Sequence, residues 1–231
     1  MNIRNAVILV TGANRGLGKS LVKQLLAAGA KKVYAAARDP ASITLPGVEA
    51  VKLDVTNAAD IAAAAARLQD VSVVINNAGI TRGSPLLAAG SAEAARAEME
   101  TNFFGPLALS QAFAPVLKAN GGGAIVNVLS VLSWLSLPGA ATYSASKSAA
   151  WSLSNGLRTA LREQGTQVLS LHVAFMDTDM TSNIAGPKAS PDDVVLQTFA
   201  ALEAGQFEVL ADPLTRQVKQ GLSTEAPPYA N

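Results

Sequence analysis

The chain reads as an α/β protein: a Rossmann-like, doubly wound parallel sheet of about seven strands with helices on both faces. Three observations predict this. Seven short apolar runs recur along the 231 residues, and most are rich in Val, Ile and Leu without clean alternation, the pattern of strands buried on both faces. Helix-length stretches separate them, as repeated right-handed βαβ units require. The first run leads straight into the glycine-rich turn Thr11-Gly12-Ala13-Asn14-Arg15-Gly16-Leu17-Gly18.

The runs are Ala6 to Val10, Lys32 to Ala36, Ala50 to Leu53, Val71 to Ile75, Ala124 to Val128, Val168 to Val173 and Phe207 to Leu210. After the first, Leu17 to Ala28 carries Leu21 and Leu25 at i+4 spacing, with Gly29 as a stop. Ala58 to Leu68 is alanine-rich; alanine is the best helix former, and a small-residue face lets a helix lie close to a sheet. Asp60, Ser91 and Asp192 serve as start signals, and Pro191 precedes what reads as the last helix. No repeat or interdomain linker interrupts the pattern, so residues 1–231 are expected to form a single domain with a short proline-containing tail over 225–231.

Composition excludes several kinds of chemistry. Eighteen basic and seventeen acidic side chains leave a net charge of +1, so no global field draws the chain to nucleic acid or to an anionic membrane. Cysteine is absent and histidine occurs once, which removes thiolate catalysis, disulfides and the usual zinc ligands; no metal site is expected. With no signal-peptide pattern and no apolar run of membrane length, a cytoplasmic protein acting on small molecules is expected.

The glycines at 12, 16 and 18 permit a tight turn and a close backbone approach to a pyrophosphate, which a helix N-terminus favours electrostatically. Tyr143 and Lys147 lie four residues apart in Tyr-Ser-Ala-Ser-Lys, thirteen and seventeen residues after Ser130. Positions i and i+4 of a helix are about 5–6 Å apart on one face. Tyrosine ordinarily ionises near about pH 10, and a neighbouring ammonium lowers that value, which makes the hydroxyl a usable acid or base. At the end of the second strand, where NAD-preferring proteins commonly place an acid, stands Ala37 followed by Arg38; with Arg15 it offers two guanidinium groups to a 2′-phosphate. Asp39 then faces solvent or caps the next turn.

The spacing Gly-x3-Gly-x-Gly after a threonine, together with Asn76-Asn77-Ala78-Gly79 after the fourth strand and the Ser130, Tyr143, Lys147 set, resembles the short-chain dehydrogenase/reductase family from Thr11 to Thr178. The resemblance implies NADP(H) as cofactor, held by Gly12, Asn14, Arg15, Gly16, Leu17, Gly18 and Arg38. Asp54 and Val55 would flank its adenine with Asn76, Ala78 and Gly79, while Tyr143 and Lys147 meet its ribose and Met176 and Thr178 its carboxamide. It makes Tyr143 the general acid in carbonyl reduction and the base in alcohol oxidation. Ser130 then binds the substrate oxygen, Lys147 holds the nicotinamide ribose, and Asn102 holds a water that relays protons. Trp134 and Phe175 join Ser130 and Tyr143 around the substrate.

Two departures from the family pattern stand out. Val173-Ala174 replaces its Pro-Gly after the sixth strand, which leaves the course of that loop open, and Leu129 replaces a common serine. His172, alone in an apolar strand, is expected to be a packing residue. The segment between Thr178 and Pro191, the lid in the family, is short and is read as carrying only Lys188 as a charge, implying an open or compact hydrophobic site. The leading function is therefore an NADPH-dependent carbonyl reductase, reversible as a secondary-alcohol dehydrogenase. A 3-oxoacyl-carrier-protein reductase is the rival, although Val131 to Ala141 contains no basic residue to meet an acidic carrier. A non-catalytic NADP(H)-binding regulatory protein is the remaining reading, against which the intact Ser130, Tyr143 and Lys147 count. Family members pair through the helix at Tyr143 and the one before it, so a homo-oligomer, dimer or tetramer, is expected.

Overall fold

The computed structural model describes residues 1–230. All seven strands join one sheet in the order β3-β2-β1-β4-β5-β6-β7. They are β1 (Val7–Thr11), β2 (Lys32–Ala37), β3 (Glu49–Lys52), β4 (Val73–Asn76), β5 (Ala124–Val128), β6 (Gln167–His172) and β7 (Glu208–Leu210). Every neighbouring pair is parallel. The seven apolar runs are thus the seven strands, with ends displaced by one or two residues.

Successive residues of a strand point to opposite faces, and here both faces are dry. Ile8, Val10, Val33, Ala35, Val73, Ile75, Val126 and Leu171 meet α1 (Gly16–Ala27) and α6 (Pro191–Glu203). Leu9, Tyr34, Ala36, Val74, Ile125 and Val168 face the opposite layer, where α2 (Ala58–Arg67) and α4 (Gly105–Ala119) supply Ile61, Ala64, Leu109, Phe113 and Leu117. The alternation that marks a half-exposed strand is missing from the inner strands because neither of their faces meets water; at the edge, β3 buries only Val51.

Helix starts follow a rule that the start signals named from sequence missed. Asn57 caps α2, its Oδ1 accepting from the N–H groups of Ala59 and Asp60 at 2.9 and 3.1 Å; Asp60 itself lies in the first turn. Ser190 caps α6, with Pro191 as its first residue and Asp192 one place further in. Gly90, at φ 82°, precedes α3 (Ser91–Met99), so Ser91 is inside it. Nor is α6 the last helix: Asp212 caps α7 (Pro213–Gly221), accepting from Thr215 N at 2.9 Å. Asp212 before Pro213 is the signal of that start.

One irregularity positions the site. Between α3 and α4 the chain runs as a π-helical turn over Glu100–Phe104, with Gly105 N–H bonding back to Glu100 O. Such a turn inserts one residue into a helix and re-aims the side chains beyond it; here it carries Asn102, 2% exposed, towards α5 (Ala141–Ala160). Among the described residues no helix is long and apolar enough to cross a membrane, and no cluster of potential metal ligands occurs.

Phe113 is fully buried between α4 and the sheet. Phe113→Ala should lower the free energy of unfolding by about 3–5 kcal/mol, read from the urea midpoint; a loss under about 1 kcal/mol would mean that this layer repacks freely.

Candidate active site

The sheet order reverses between β1 and β4, and a crevice opens there at the carboxyl ends of the strands. Thr11, the last residue of β1, closes its base. Its hydroxyl donates to Ile75 O at 3.2 Å and accepts from the N–H groups of Asn77 and Ala78, both at 3.0 Å. Asn77 Nδ2 returns two bonds, to Thr11 O at 2.8 Å and Gly12 O at 3.1 Å. Gly12 and Gly16 have φ of 62° and 50°, a region that favours glycine. At Gly18 the constraint is space: a Cβ would sit 2.1 Å from Gly12 O and 2.6 Å from Asn77 Nδ2. No side chain caps the start of α1, which leaves its N–H groups and positive dipole end turned to the crevice. Backbone and helix terminus together form the cradle expected for a pyrophosphate.

The crevice widens into a cavity of about 1350 Å³. At one end stand Asn14, Arg15, Leu17, Arg38, Asp54 and Val55, with Ala78 and Gly79 in the wall. Arg15 and Arg38 are exposed, and neither enters an ion pair among the described residues. Asp39 caps the next turn through Ala41 N at 3.0 Å, as expected, and it lines the cavity beside Arg38.

At the other end Ser130, Tyr143 and Lys147 open on the same space. Ser130 follows β5 and caps a short 3-10 turn, its Oγ accepting from Leu132 N at 3.1 Å. Tyr143 is in the first turn of α5 and Lys147 one turn later. Burial pushes the Tyr143 hydroxyl up to about 12, against a lowering by Ser130, with the Glu98 carboxylate raising it further. Tyr143 is half-buried and lines the cavity.

Burial also brings Lys147 down to about 8. Its ammonium is 5.6 Å from the centre of the Tyr143 ring and donates to Val128 O at 2.8 Å. The expectation that this ammonium lowers the tyrosine therefore needs correcting for the protein by itself: the cation is anchored to a carbonyl, and desolvation dominates. Gly79 shows how tightly the groups converge, for a Cβ there would be 3.2 Å from Asn102 Oδ1 and 3.7 Å from Lys147 Nζ.

Other expected residues are placed differently. Asn76 does not line the cavity; it is 3% exposed, and its Nδ2 donates to Asn127 Oδ1 at 2.8 Å. The next residue, Asn77, lines it instead. Asn102 lies behind the wall, with Oδ1 accepting from Ile80 N and Nδ2 donating to Ile80 O and Ser146 Oγ, all at 2.9 Å. Both Nδ2 protons are engaged, so a water held at this residue could not accept from its side chain.

Trp134 also lies behind the wall: it is 8% exposed, stacked on His172 at 4.0 Å and edge-on to Trp151 at 6.2 Å. The apolar end of the cavity is formed by its neighbours Leu132, Leu135 and Leu137, by Phe175, and by Met180, Ile184, Leu214 and Val218. Asp179 lines the cavity as well, so the lid carries an acid besides Lys188, against the expectation of a single charge there.

Met176 and Thr178 line the cavity as expected, and the loop that bears them has a clear course. Ala174, where glycine is usual, needs no left-handed backbone; its N–H donates to Asp212 Oδ2 at 2.8 Å. Met176 bridges to Ala189, so the two ends of the lid are paired at its neck. His172 is fully buried, as expected of a packing residue, with Nδ1 3.2 Å from Ser130 O.

A family model described as short chain dehydrogenase matches residues 6–188. The 3-oxoacyl-[acyl-carrier-protein] reductase FabG of Vibrio cholerae is 30% identical, covering 100% of this chain and 93% of that protein. Dehydrogenase/reductase SDR family member 7B of Bos taurus is 31% identical over 86% of this chain; the chain spans 66% of that relative's length and 61% of the mouse protein's. Among solved structures, a short chain dehydrogenase from Burkholderia cenocepacia in complex with NADP superposes with a TM-score of 0.93 at 44% identity, covering 97% of this chain and 95% of that one. A gluconate 5-dehydrogenase from the same species, in complex with NADP and tartrate, gives 0.84 at 25% identity over 94% and 98%.

Burial holds His172 down to about 3 from its ordinary 6.5. The unfolded chain then binds a proton first as pH falls, so stability should decline below about 6.5 and keep declining towards about 3. Urea midpoints for the protein and for His172→Gln across that window test this: the variant should show the shallower decline, and parallel curves would contradict it.

Proposed function

The chain belongs to the short-chain dehydrogenase family, and from that premise we propose that it is an NADPH-dependent oxidoreductase reducing ketones and aldehydes with hydrophobic or aryl substituents, reversible as a secondary-alcohol dehydrogenase. One observation carries the reading: a single cavity has Ser130, Tyr143 and Lys147 at its apolar end and the glycine cradle with Arg15 and Arg38 at the other.

The cradle fits a dinucleotide because the space where a Gly18 side chain would stand is already filled by backbone. Arg15 and Arg38 would take the 2′-phosphate; charge-assisted bonds are worth about 1.5–3 kcal/mol each. The bound nicotinamide supplies or accepts the hydride. In reduction Ser130 donates a hydrogen bond to the carbonyl oxygen and stabilises the charge that develops on it. Tyr143 gives that oxygen its proton, and burial keeps this hydroxyl protonated through the neutral range. In oxidation the same hydroxyl must first lose the proton, so oxidation should rise with pH. Lys147 carries its charge below about 8 and would hold the ribose hydroxyls. Asn102 fixes Ile80 in the wall beside Gly79. On α5, exposed Ala145 and half-buried Ala149 suit the proposed self-association, whereas Ala150 is buried and Trp151 packs against Trp134 within the chain.

A second reading, reduction of 3-oxoacyl groups on an acyl carrier, is favoured by the full-length similarity to a reductase of that name. Turnover of a carrier-bound 3-oxoacyl thioester well above that of simple ketones would select it.

Three outcomes test the main reading. Tyr143→Phe should lose turnover by about 10²–10⁴-fold while NADPH still binds; retention of most of the rate would refute Tyr143 as proton donor. Arg38→Ala should raise the KM for NADPH roughly ten- to a hundredfold and leave that for NADH nearly unmoved, and equal effects on both would refute the phosphate assignment. In a substrate panel aryl and alkyl ketones should exceed charged keto acids in kcat/KM, because the apolar end offers a desolvated charge no partner. A preference for anionic acids would contradict this.

A further inference from the structure

His172 is the one histidine of the chain, and the chemistry derived above gives it no task. It ends β6 and is fully buried. Its Nδ1 is 3.2 Å from Ser130 O. A carbonyl oxygen only accepts, so Nδ1 carries the ring proton and donates it. Nε2 is then the bare nitrogen, and it is buried without a hydrogen-bond partner. Glu208 Oε1 is 3.6 Å from it, beyond hydrogen-bond reach, and already takes Lys219 Nζ at 2.9 Å.

An imidazole with one nitrogen unsatisfied is a costly filler for a dry strand, where a phenyl ring would pack without that loss. What the polar ring adds is the bond to Ser130, and the ring is braced to deliver it. Trp134 stacks on it at 4.0 Å with 21° between the planes. The indole is held in turn by Trp151 of α5, edge-on at 6.2 Å, and by Lys219 of α7, whose ammonium lies 4.7 Å from its ring.

The carbonyl that receives this bond starts the turn that holds the Ser130 hydroxyl. Ser130 O also accepts from Ser133 N at 3.0 Å, which closes the 3-10 turn, while Leu132 N, inside that turn, donates to Ser130 Oγ at 3.1 Å. Taking an N–H as acceptor leaves the hydroxyl its own proton to donate into the cavity that Ser130 lines. The peptide after Ser130 is bonded from both sides, for Val131 N donates to Val173 O at 3.0 Å. His172 is the side chain in this set, and it comes from the neighbouring strand.

We infer that His172 is a positioning residue for Ser130: its Nδ1–H, with the ring clamped by Trp134, fixes the carbonyl that starts the turn and so aims the Ser130 hydroxyl at the substrate oxygen. This rests on the oxidoreductase reading. Three substitutions separate the donor from the packing. His172→Phe keeps a ring for Trp134 and removes the donor. His172→Asn carries an N–H where Nδ1 stands, and His172→Leu has the shape of asparagine without it.

The test is kcat and KM for reduction of a ketone by NADPH, with the urea midpoint, in wild type and the three variants. A bond that strengthens as charge develops on the substrate oxygen acts on kcat more than on KM. In His172→Phe and His172→Leu kcat should fall about three- to tenfold, in His172→Asn most of that loss should be recovered, and KM for NADPH should stay unmoved in all three. The urea midpoint of His172→Phe should hold or rise while its kcat falls, because the unsatisfied nitrogen is gone and Ser130 O keeps its bond from Ser133. In a Ser130→Ala background His172→Phe should cause no further loss, since no hydroxyl remains to be aimed. Equal kcat in His172→Asn and His172→Leu would overturn the inference, and that pair decides alone if His172→Phe does not fold. Wild-type kcat in His172→Phe, or the full loss repeated without the Ser130 hydroxyl, would overturn it as well. Absence of turnover in the wild type with every ketone and alcohol tried would instead refute the oxidoreductase reading on which the inference stands.

Discussion

The Thr11 hydroxyl joins the two halves of this molecule. β1 and β4 lie side by side at the point where the sheet order reverses, and the loops that leave them turn to opposite sides. One oxygen donates to Ile75 O and accepts from two successive N–H groups at Asn77 and Ala78, so the floor of the crevice is hydrogen-bonded across the switch point. Asn77 returns the connection to Gly12, and Gly18 comes so close beneath it that no side chain fits. The glycines, the asparagine and the threonine are one packing solution, and it sets the positions of α1, the cavity wall and the reacting end.

Burial governs the electrostatics of the site. Both faces of the sheet are covered, so groups at the carboxyl edge sit over a dry core. The same desolvation raises Tyr143, lowers Lys147 and lowers His172, in each case against the charged form. The protein alone therefore holds a neutral phenol beside an amine that titrates near neutrality, and the pairing expected from i+4 spacing is replaced by an anchor on Val128 O. Spacing says which residues share a helix face; it does not say which carbonyl at the end of a neighbouring strand captures the ammonium.

The strands were legible because most are short runs rich in Val, Ile and Leu, and the glycine loop because its chemistry leaves few other uses for three glycines in eight residues. Caps were less so. Asn57 and Ser190 lie two or three residues before the acids chosen as starts, and a single residue of offset hides the side chain aimed back at the first turn. Trp134 and Asn76 belong to motifs whose neighbours line the cavity, yet each turns to the other side of its own backbone. Periodicity in irregular segments does not fix that choice. Glu98 shares its helix with Glu93 and Arg96, and nothing in that pattern marks it as the buried one; its burial appears only once the α3 packing is known.

Asp212 makes the C-terminal helix part of the cavity. Its carboxylate takes the Ala174 N–H from the loop after β6 with one oxygen and caps α7 with the other, and Thr215 Oγ1 adds a third bond at 2.6 Å. Leu214 and Val218 of that helix then reach the same space that Phe175 and Met176 line. Loop and helix share a carboxylate and an apolar wall, so neither can open alone without stranding charge. They form one cooperative unit of local unfolding, so that exposure of the reacting groups on this side is tied to the fraying of α7.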